Sequence, residues 1–289
     1  MAQVALLEAP IAVGSPTRGQ EYAYDALMAR GLNSLFPQAA LYPMEKPTIA
    51  TSYPAHLKYL STVMHVSRQL RVNVLDALSH GNYPVIVGGD HSIAMGSLAA
   101  FGEAEGAEDV ALVYVDAHAD INTEQTSASH YIHGMDLAAA CGLCTDELTV
   151  GTQKVNLLGS NIHIVGGRSI DPPEFDIMER LGVHMHSAHE VRTRGIAAVL
   201  DDVLSAVAGK QLHISFDVDS IDPHDFTSTG YVLPEGLFVR DVEAIFDCLV
   251  PLSSSFECVE YNPTLDTTGR DGATLMGILA GVAAKIPQR

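Results

Sequence analysis

The apolar positions of this chain alternate between two periods. Short, nearly continuous β-branched runs recur at Val4–Leu7, Pro84–Val87, Val110–Val115, Ile162–Val165, Leu212–Phe216 and Phe256–Val259. Runs without polar alternation suit strands buried on both faces of a parallel sheet. Between them the spacing turns helical. From Pro54 onward, Leu57, Leu60, Met64, Leu70, Val74, Leu75 and Leu78 recur every three to four residues, with Gly81 as a stop signal. Further helices are predicted from about Glu21 to Arg30, after His91 through Leu98, over Ile196 to Val207, over Val242 to Leu249, and around Leu275 to Val282. Strand and helix alternate along the whole length, which predicts an α/β fold with helices on both faces of the sheet. No linker or repeat interrupts the pattern, so residues 1–289 are expected to form a single domain.

In open parallel sheets, ligands gather beyond the carboxyl ends of strands, so the residues just past each strand are informative. The run ending at Val87 leads into Gly88-Gly89-Asp90-His91-Ser92, and that ending at Val115 into Asp116, His118 and Asp120. The run ending at Phe216 leads into Asp217 and Asp219, that near Val165 into Arg168, Asp171 and Glu174, and the last into Glu260. Asp116, His118 and Asp120 occupy alternate positions, which an extended backbone points to one side. Taken singly, each group has a plain alternative: His91 as a hydrogen-bonded core histidine, Asp217 and Asp219 as turn-formers before Pro223. Two His and four Asp brought to one sheet edge would instead repel one another and lose hydration unless cations sat among them. Oxygen-rich ligation with two imidazoles and no thiolate suits harder ions such as Mn²⁺. Six ligands suit a pair of metals, which lowers the pKa of a shared water.

Composition narrows the partner. A formal charge of −19 disfavours nucleic acid or an anionic membrane and is compatible with a cationic ligand. The apolar share of 47% supports a large core, yet no run reaches the roughly 20 residues of a membrane span, so a soluble, cytoplasmic protein is expected. Cys141 and Cys144 form a C-x-x-C pair with no second pair or flanking His set, and are expected to be free buried thiols.

The segments GGDHS at Gly88 to Ser92, VDAHADIN at Val115 to Asn122 and SFDVDSIDP at Ser215 to Pro223 resemble the three signatures of the ureohydrolase (arginase/agmatinase) family, in the same order and spacing. The resemblance runs from about Val4 to Ile286. It implies a three-layer α/β/α fold around a mainly parallel eight-stranded sheet, and two Mn²⁺ per chain. By the same resemblance, His91, Asp116, Asp120 and Asp217 would hold one ion, and His118, Asp116, Asp217 and Asp219 the other. Asp120 would also orient the attacking water. Glu260, in a segment similar to the family's E-x-N-P, would pair with a guanidinium group.

The loop Asn122 to His133 has the length found in the arginase branch, which implies hydrolysis of L-arginine to L-ornithine and urea. His133 matches the family's proton-shuttling histidine. Asn122, Ser127 and Ser129 match positions that contact the α-carboxylate and α-amino group, Asp171 the acid that receives the ammonium, and Glu174 a further acid near it. The family commonly forms trimers or hexamers, so a homo-oligomer is expected. Three positions depart from the pattern. Tyr131 stands where a carboxylate-binding asparagine is usual, Tyr231 where a small threonine is usual, and Ala23-Tyr24 where a Gly-Pro is usual. Two tyrosines in the substrate shell open the alternative of another guanidine: a guanidino acid, agmatine or N-hydroxyarginine. A reading from a different class is an inactive regulatory paralogue, which metal content would expose.

Overall fold

A computed structural model describes residues 3–287. Its centre is one eight-stranded sheet: β1 (Val4–Ala9), β2 (Ala40–Tyr42), β3 (Tyr83–Gly88), β4 (Val110–Val115), β5 (Ile162–Gly167), β6 (His184–Ser187), β7 (Gln211–Asp217) and β8 (Ser253–Val259), in the spatial order β2-β1-β3-β8-β7-β4-β5-β6. Every neighbouring pair is parallel. The six strands anticipated from apolar runs fill the middle of the sheet, and each is almost wholly buried. The two that the runs do not reveal, β2 and β6, are the edges. They are three and four residues long and largely accessible, so nothing requires them to be apolar.

Helices cover both faces. The long helix Leu60–Ser79 packs with Ala94–Glu105 over one face, while Ile196–Val207, Val239–Leu249 and Arg270–Ala283 cover the other, and each face has its own apolar core. The predicted helices are present with shifted ends. Leu60–Ser79 starts three residues after Leu57, because Tyr59 takes a left-handed backbone (φ +54°) that breaks the first turn. The segment predicted from Glu21 opens as a short 3₁₀ turn, Gln20–Tyr22, before the α-helix Ala23–Ala29. The helix Pro172–Leu181 is additional. It starts at Asp171-Pro172-Pro173-Glu174, where Glu174 accepts a hydrogen bond from the Asp171 N–H at 2.8 Å, a capping arrangement that apolar periodicity does not report. Among the described residues, no helix is long and apolar enough to cross a membrane.

Strand register positions the site. Val87 pairs with Cys258, Cys258 with Phe216, Phe216 with Val115, and Val115 with Val165. The residues just after these partners, from Gly88 through Val259–Glu260, Asp217 and Asp116 to Gly166, therefore lie in one row along the carboxyl edge of the sheet. Gly89 is demanded by this crowding, since a Cβ there would lie 1.7 Å from the Ile11 carbonyl oxygen.

Candidate metal centre and cavity

Each of the three motif strands ends in an aspartate that folds back on its own chain. Asp90 Oδ1 accepts from the Ser92 N–H at 3.1 Å, Asp116 Oδ1 from the His118 N–H at 2.7 Å, and Asp217 Oδ1 from the Asp219 N–H at 2.7 Å. This Asx turn bends the chain as it leaves the sheet and, at Asp116 and Asp217, leaves Oδ2 for a neighbour. Convergence of Asp116, His118 and Asp120 thus comes from a bend beyond β4 rather than from a straight strand, and Asp120 completes it with a left-handed backbone, φ +44°. Asp90 belongs to the scaffold: its Oδ2 accepts from the Gly14 N–H at 2.7 Å and anchors the loop after β1.

The six anticipated ligands come together around two histidines: His91 groups with Asp116 and Asp217 and also with Asp120 and Asp136, and His118 groups with Asp116 and Asp219. In the first, His91 Nδ1 lies 2.9 Å from Asp116 Oδ2, 3.3 Å from Asp217 Oδ2 and 3.5 Å from Asp120 Oδ2. In the second, His118 Nδ1 lies 3.1 Å from Asp219 Oδ2 and 3.5 Å from Asp116 Oδ1. All but His118 are buried.

The hydrogen bonds behind His91 determine what its Nδ1 offers. Ser215 Oγ donates to Glu257 Oε1 at 2.7 Å, so toward His91 Nε2, 2.8 Å away, Ser215 must accept. Neutral His91 therefore carries its proton on Nε2 and turns the Nδ1 lone pair at carboxylate oxygens. Asp116 Oδ2, fully buried, accepts no hydrogen bond. Only a cation, a second proton or a metal ion, makes this arrangement favourable, and the donor set of imidazole nitrogen and carboxylate oxygen fits a divalent ion.

Electrostatics agree. Burial first, then Asp219 and Asp116, push Asp217 far above the ordinary carboxylate range, and burial with Asp116 pushes Asp120 up to about 6. Asp116 is held below its usual range: burial opposes this, but His118 and His91, when protonated, donate to its carboxylate and outweigh burial. Without cations, the carboxylates at this edge compete for the right to ionise.

A cavity of about 280 Å³ opens above this centre, with His118 and Asp120 among its lining, and it gathers the anticipated substrate residues Asn122, Ser127, Ser129, His133, Asp171 and Glu174 together with Tyr231. Asn122 donates to Asp171 Oδ2 at 3.0 Å, and Glu174 Oε1 accepts from the Ile121 N–H at 3.0 Å, so the loop that follows β4 is tied to the start of helix Pro172–Leu181. Burial pushes Glu174 up to about 7. Glu260 is not part of the cavity wall. It is buried, also in a left-handed conformation (φ +64°), and its Oε1 lies 3.2 Å from His133 Nδ1 while Oε2 accepts from Gln20 at 2.9 Å. Burial alone would lower the His133 pKa, but Glu260 reverses this and the net shift is upward.

Several buried polar groups lie behind the expected ligands. The Tyr114 hydroxyl is 2.8 Å from Asp120 Oδ2, 2.9 Å from His91 Nδ1 and 3.2 Å from Asp136 Oδ2, and Asp136 is itself fully buried. Ser215 and Glu257 form the relay to His91. Both are polar residues with apolar neighbours on either side, Ile214 and Phe216 about Ser215 and Phe256 and Cys258 about Glu257, and that interruption is the sequence signal for them. Elsewhere, His186, Glu190 and Asp202 bring possible ligand atoms within 4.8 Å, but Arg194 bonds both carboxylates, so this cluster is already charge-compensated. Cys141 and Cys144 are buried free thiols, and burial pushes Cys141 up to about 12.

The sequence model of the Arginase family matches residues 2–285. The arginase of Brevibacillus brevis is 29% identical, covering 96% of this chain and 97% of its own. The arginase of Bacillus subtilis is 33% identical over 79% of this chain and 78% of its own. Among solved structures, the arginase of Entamoeba histolytica in complex with L-ornithine superposes with a TM-score of 0.88 at 27% identity, covering 98% of both chains. These matches span the sheet, the ligand-bearing strand ends and the cavity loops together, and the chain belongs to the arginase family of hydrolases.

Proposed function

We propose that the protein hydrolyses the guanidinium group of L-arginine to L-ornithine and urea, using two Mn²⁺ ions. The observation that carries this reading is the pair of imidazole Nδ1 atoms, on His91 and His118, facing carboxylates that share Asp116. His91, Asp116, Asp120 and Asp217 would hold one ion, and His118, Asp116, Asp217 and Asp219 the other. When bound, the two ions supply Lewis acidity that lowers the pKa of a shared water and offsets the charge developed during addition to the guanidinium carbon.

The remaining steps belong to side chains. Asp120 accepts a hydrogen bond from the attacking water and aims it at the planar carbon, its carboxylate fixed by the bend beyond β4. Asp171 and Glu174, acidic and joined to the substrate loop, attract the far ammonium, while Asn122, Ser127 and Ser129 supply hydrogen bonds along the cavity wall. Glu260, behind the cavity wall, holds His133 through Nδ1, and its charge favours a cationic guanidinium beside that histidine. His133 then has Nε2 for the departing nitrogen and delivers the proton that converts it from an amide-like anion into a neutral amine. The upward pull of Glu260 keeps that proton available.

A second reading, turnover of a different guanidine, is favoured by Tyr231. Its ring stands 5.3 Å from that of His118 and 5.9 Å from that of His133, so it narrows the cavity at the reacting end. Urea release from Mn²⁺-loaded protein over a panel of L-arginine, agmatine, N-hydroxyarginine and shorter guanidino acids separates the two. Preference for L-arginine is expected; release from another member with none from L-arginine would sink the first reading.

A further inference from the structure

One large side chain stands in the cavity wall without a hydrogen bond to hold it. Tyr231 is half-buried there, and among the described residues its hydroxyl has no partner. Ring contacts hold it instead. It meets His118 edge-on, with centroids 5.3 Å apart and planes at 68°, and lies nearly parallel to His133 at 5.9 Å and 18°. Both are arrangements that aromatic rings favour. The phenol ring therefore spans from a proposed metal ligand to the proposed proton donor.

The backbone beneath keeps it there. Tyr231 follows Gly230, where a Cβ would lie 2.7 Å from Thr17 Oγ1, so the chain is pressed against the loop after β1. The same loop holds the histidine: Gln20 Nε2 donates to Thr17 Oγ1 at 2.5 Å and to Glu260 Oε2 at 2.9 Å, and Glu260 Oε1 lies 3.2 Å from His133 Nδ1. Just before Gly230, Asp271 Oδ2 fastens Ser228, accepting from its N–H at 2.9 Å and its hydroxyl at 2.8 Å. Tyr231 and His133 thus rest on one frame, which sets the width between them.

We infer that Tyr231 is a specificity-determining residue whose ring closes the reacting end of the cavity to guanidines substituted on a terminal nitrogen. The inference rests on the reading of the cavity as a guanidine site and adds which guanidines it admits. That reading puts the departing nitrogen at His133 and the planar carbon near His118 and Asp120, so the terminal nitrogens have only the remaining width beside the Tyr231 ring. An unsubstituted guanidinium is flat and can rest on an aromatic face. A methyl or hydroxyl on a terminal nitrogen needs volume that ring atoms already fill, and overlap in a packed wall is costly. L-Arginine, agmatine and guanidino acids pass this filter, and N-hydroxyarginine does not.

The test compares ornithine release from L-arginine and from Nω-methyl-L-arginine, two compounds with that product in common, by the Mn²⁺-loaded full chain as wild type, Tyr231→Thr and Tyr231→Phe. Tyr231→Thr, which removes the ring, is expected to lower the preference for L-arginine, the ratio of the two kcat/KM values, by about 10- to 100-fold, the scale of one methyl-sized group in a pocket, and Tyr231→Phe, which keeps the ring, to hold it within about two-fold. Calorimetric dissociation constants, taken in parallel, supply the ratio wherever a compound is not turned over. A ring that only supports the fold or His133 would affect both compounds alike. A flat ratio in Tyr231→Thr, or an equal fall in Tyr231→Phe, overturns the inference and leaves hydrolysis in place. With no turnover of any guanidine the hydrolytic reading fails by itself, and a binding ratio that falls in Tyr231→Thr alone still supports the ring as the wall.

Discussion

Glu257 sits fully buried in the middle of β8, a place where an unpaired carboxylate is costly. Strand pairing explains it. Tyr114, Ser215 and Glu257 are register partners on β4, β7 and β8, so a polar line crosses the sheet beneath His91. Ser97 donates to Glu257 Oε2 at 2.7 Å, and Glu257 through Ser215 sets the His91 tautomer that exposes Nδ1. Outer hydrogen bonds of this kind orient a metal-binding imidazole and raise its basicity. Glu257→Gln, similar in shape but weaker as an acceptor, is therefore expected to loosen Mn²⁺ by about 10- to 100-fold, as read by competition with a chelator. An unaltered affinity would remove the relay from the metal centre. The ligands themselves are legible in the sequence because each is among the first polar residues after an apolar strand. The relay is not, because it exists only once three strands are in register.

At the scale of elements, the edges of the sheet escape the apolar pattern, and β6 shows what replaces it. His184 and His186 point to the same face as His163 on β5. The rings of His163 and His184 stack at 4.7 Å and 6°, and burial, joined by its two histidine neighbours, pushes His163 down to about 4. Neutral rings stack, whereas a proton on the buried one is opposed by both neighbours. The unfolded chain takes up that proton near pH 6.5 and the folded chain only near 4. The folded state therefore loses stability as pH falls through that window and keeps it above. His163→Phe should make the drop in unfolding free energy between about pH 7.5 and 5 smaller by about 1 kcal/mol after allowance for solvent screening at an edge. Equal drops in denaturant titrations of variant and wild type would exclude the stack as an acid-sensitive element. The helix Pro172–Leu181 is the complementary case: its Asp-Pro-Pro-Glu start is readable as a capping signal even though its apolar period is short.

For the whole molecule, the arrangement concentrates acid at one end of the sheet. Asp217, Asp219, Asp120 and Asp136 are all shifted upward, with burial the first cause in each. Folding without cations therefore works against charge, and ions that bind only the folded state add stability by mass action. Mn²⁺ at about one hundred times its Kd is expected to add about 2.7 kcal/mol, raising Tm by roughly 4–5 °C for a chain of this length, and a chelator should reverse the gain. A Tm indifferent to Mn²⁺ and chelator would contradict a metal centre whatever the catalytic assay reports.

The sequence by itself determines the parallel α/β architecture, the row of strand ends that carries the chemistry, and the six side chains that meet there. These depend on local rules: apolar runs make buried strands, and strand ends face one edge. The tertiary structure decides every feature set by approach between distant segments. Asx turns, not strand alternation, aim Asp116 and Asp217. Glu260 is turned behind His133 instead of lining the cavity, and Glu257 reaches His91 through Ser215. Lys58 meets the Ser129 carbonyl although 71 positions separate them in the chain. Such contacts depend on sheet register and loop closure, which pair positions far apart in the chain, and no periodicity along the chain encodes which of them will touch.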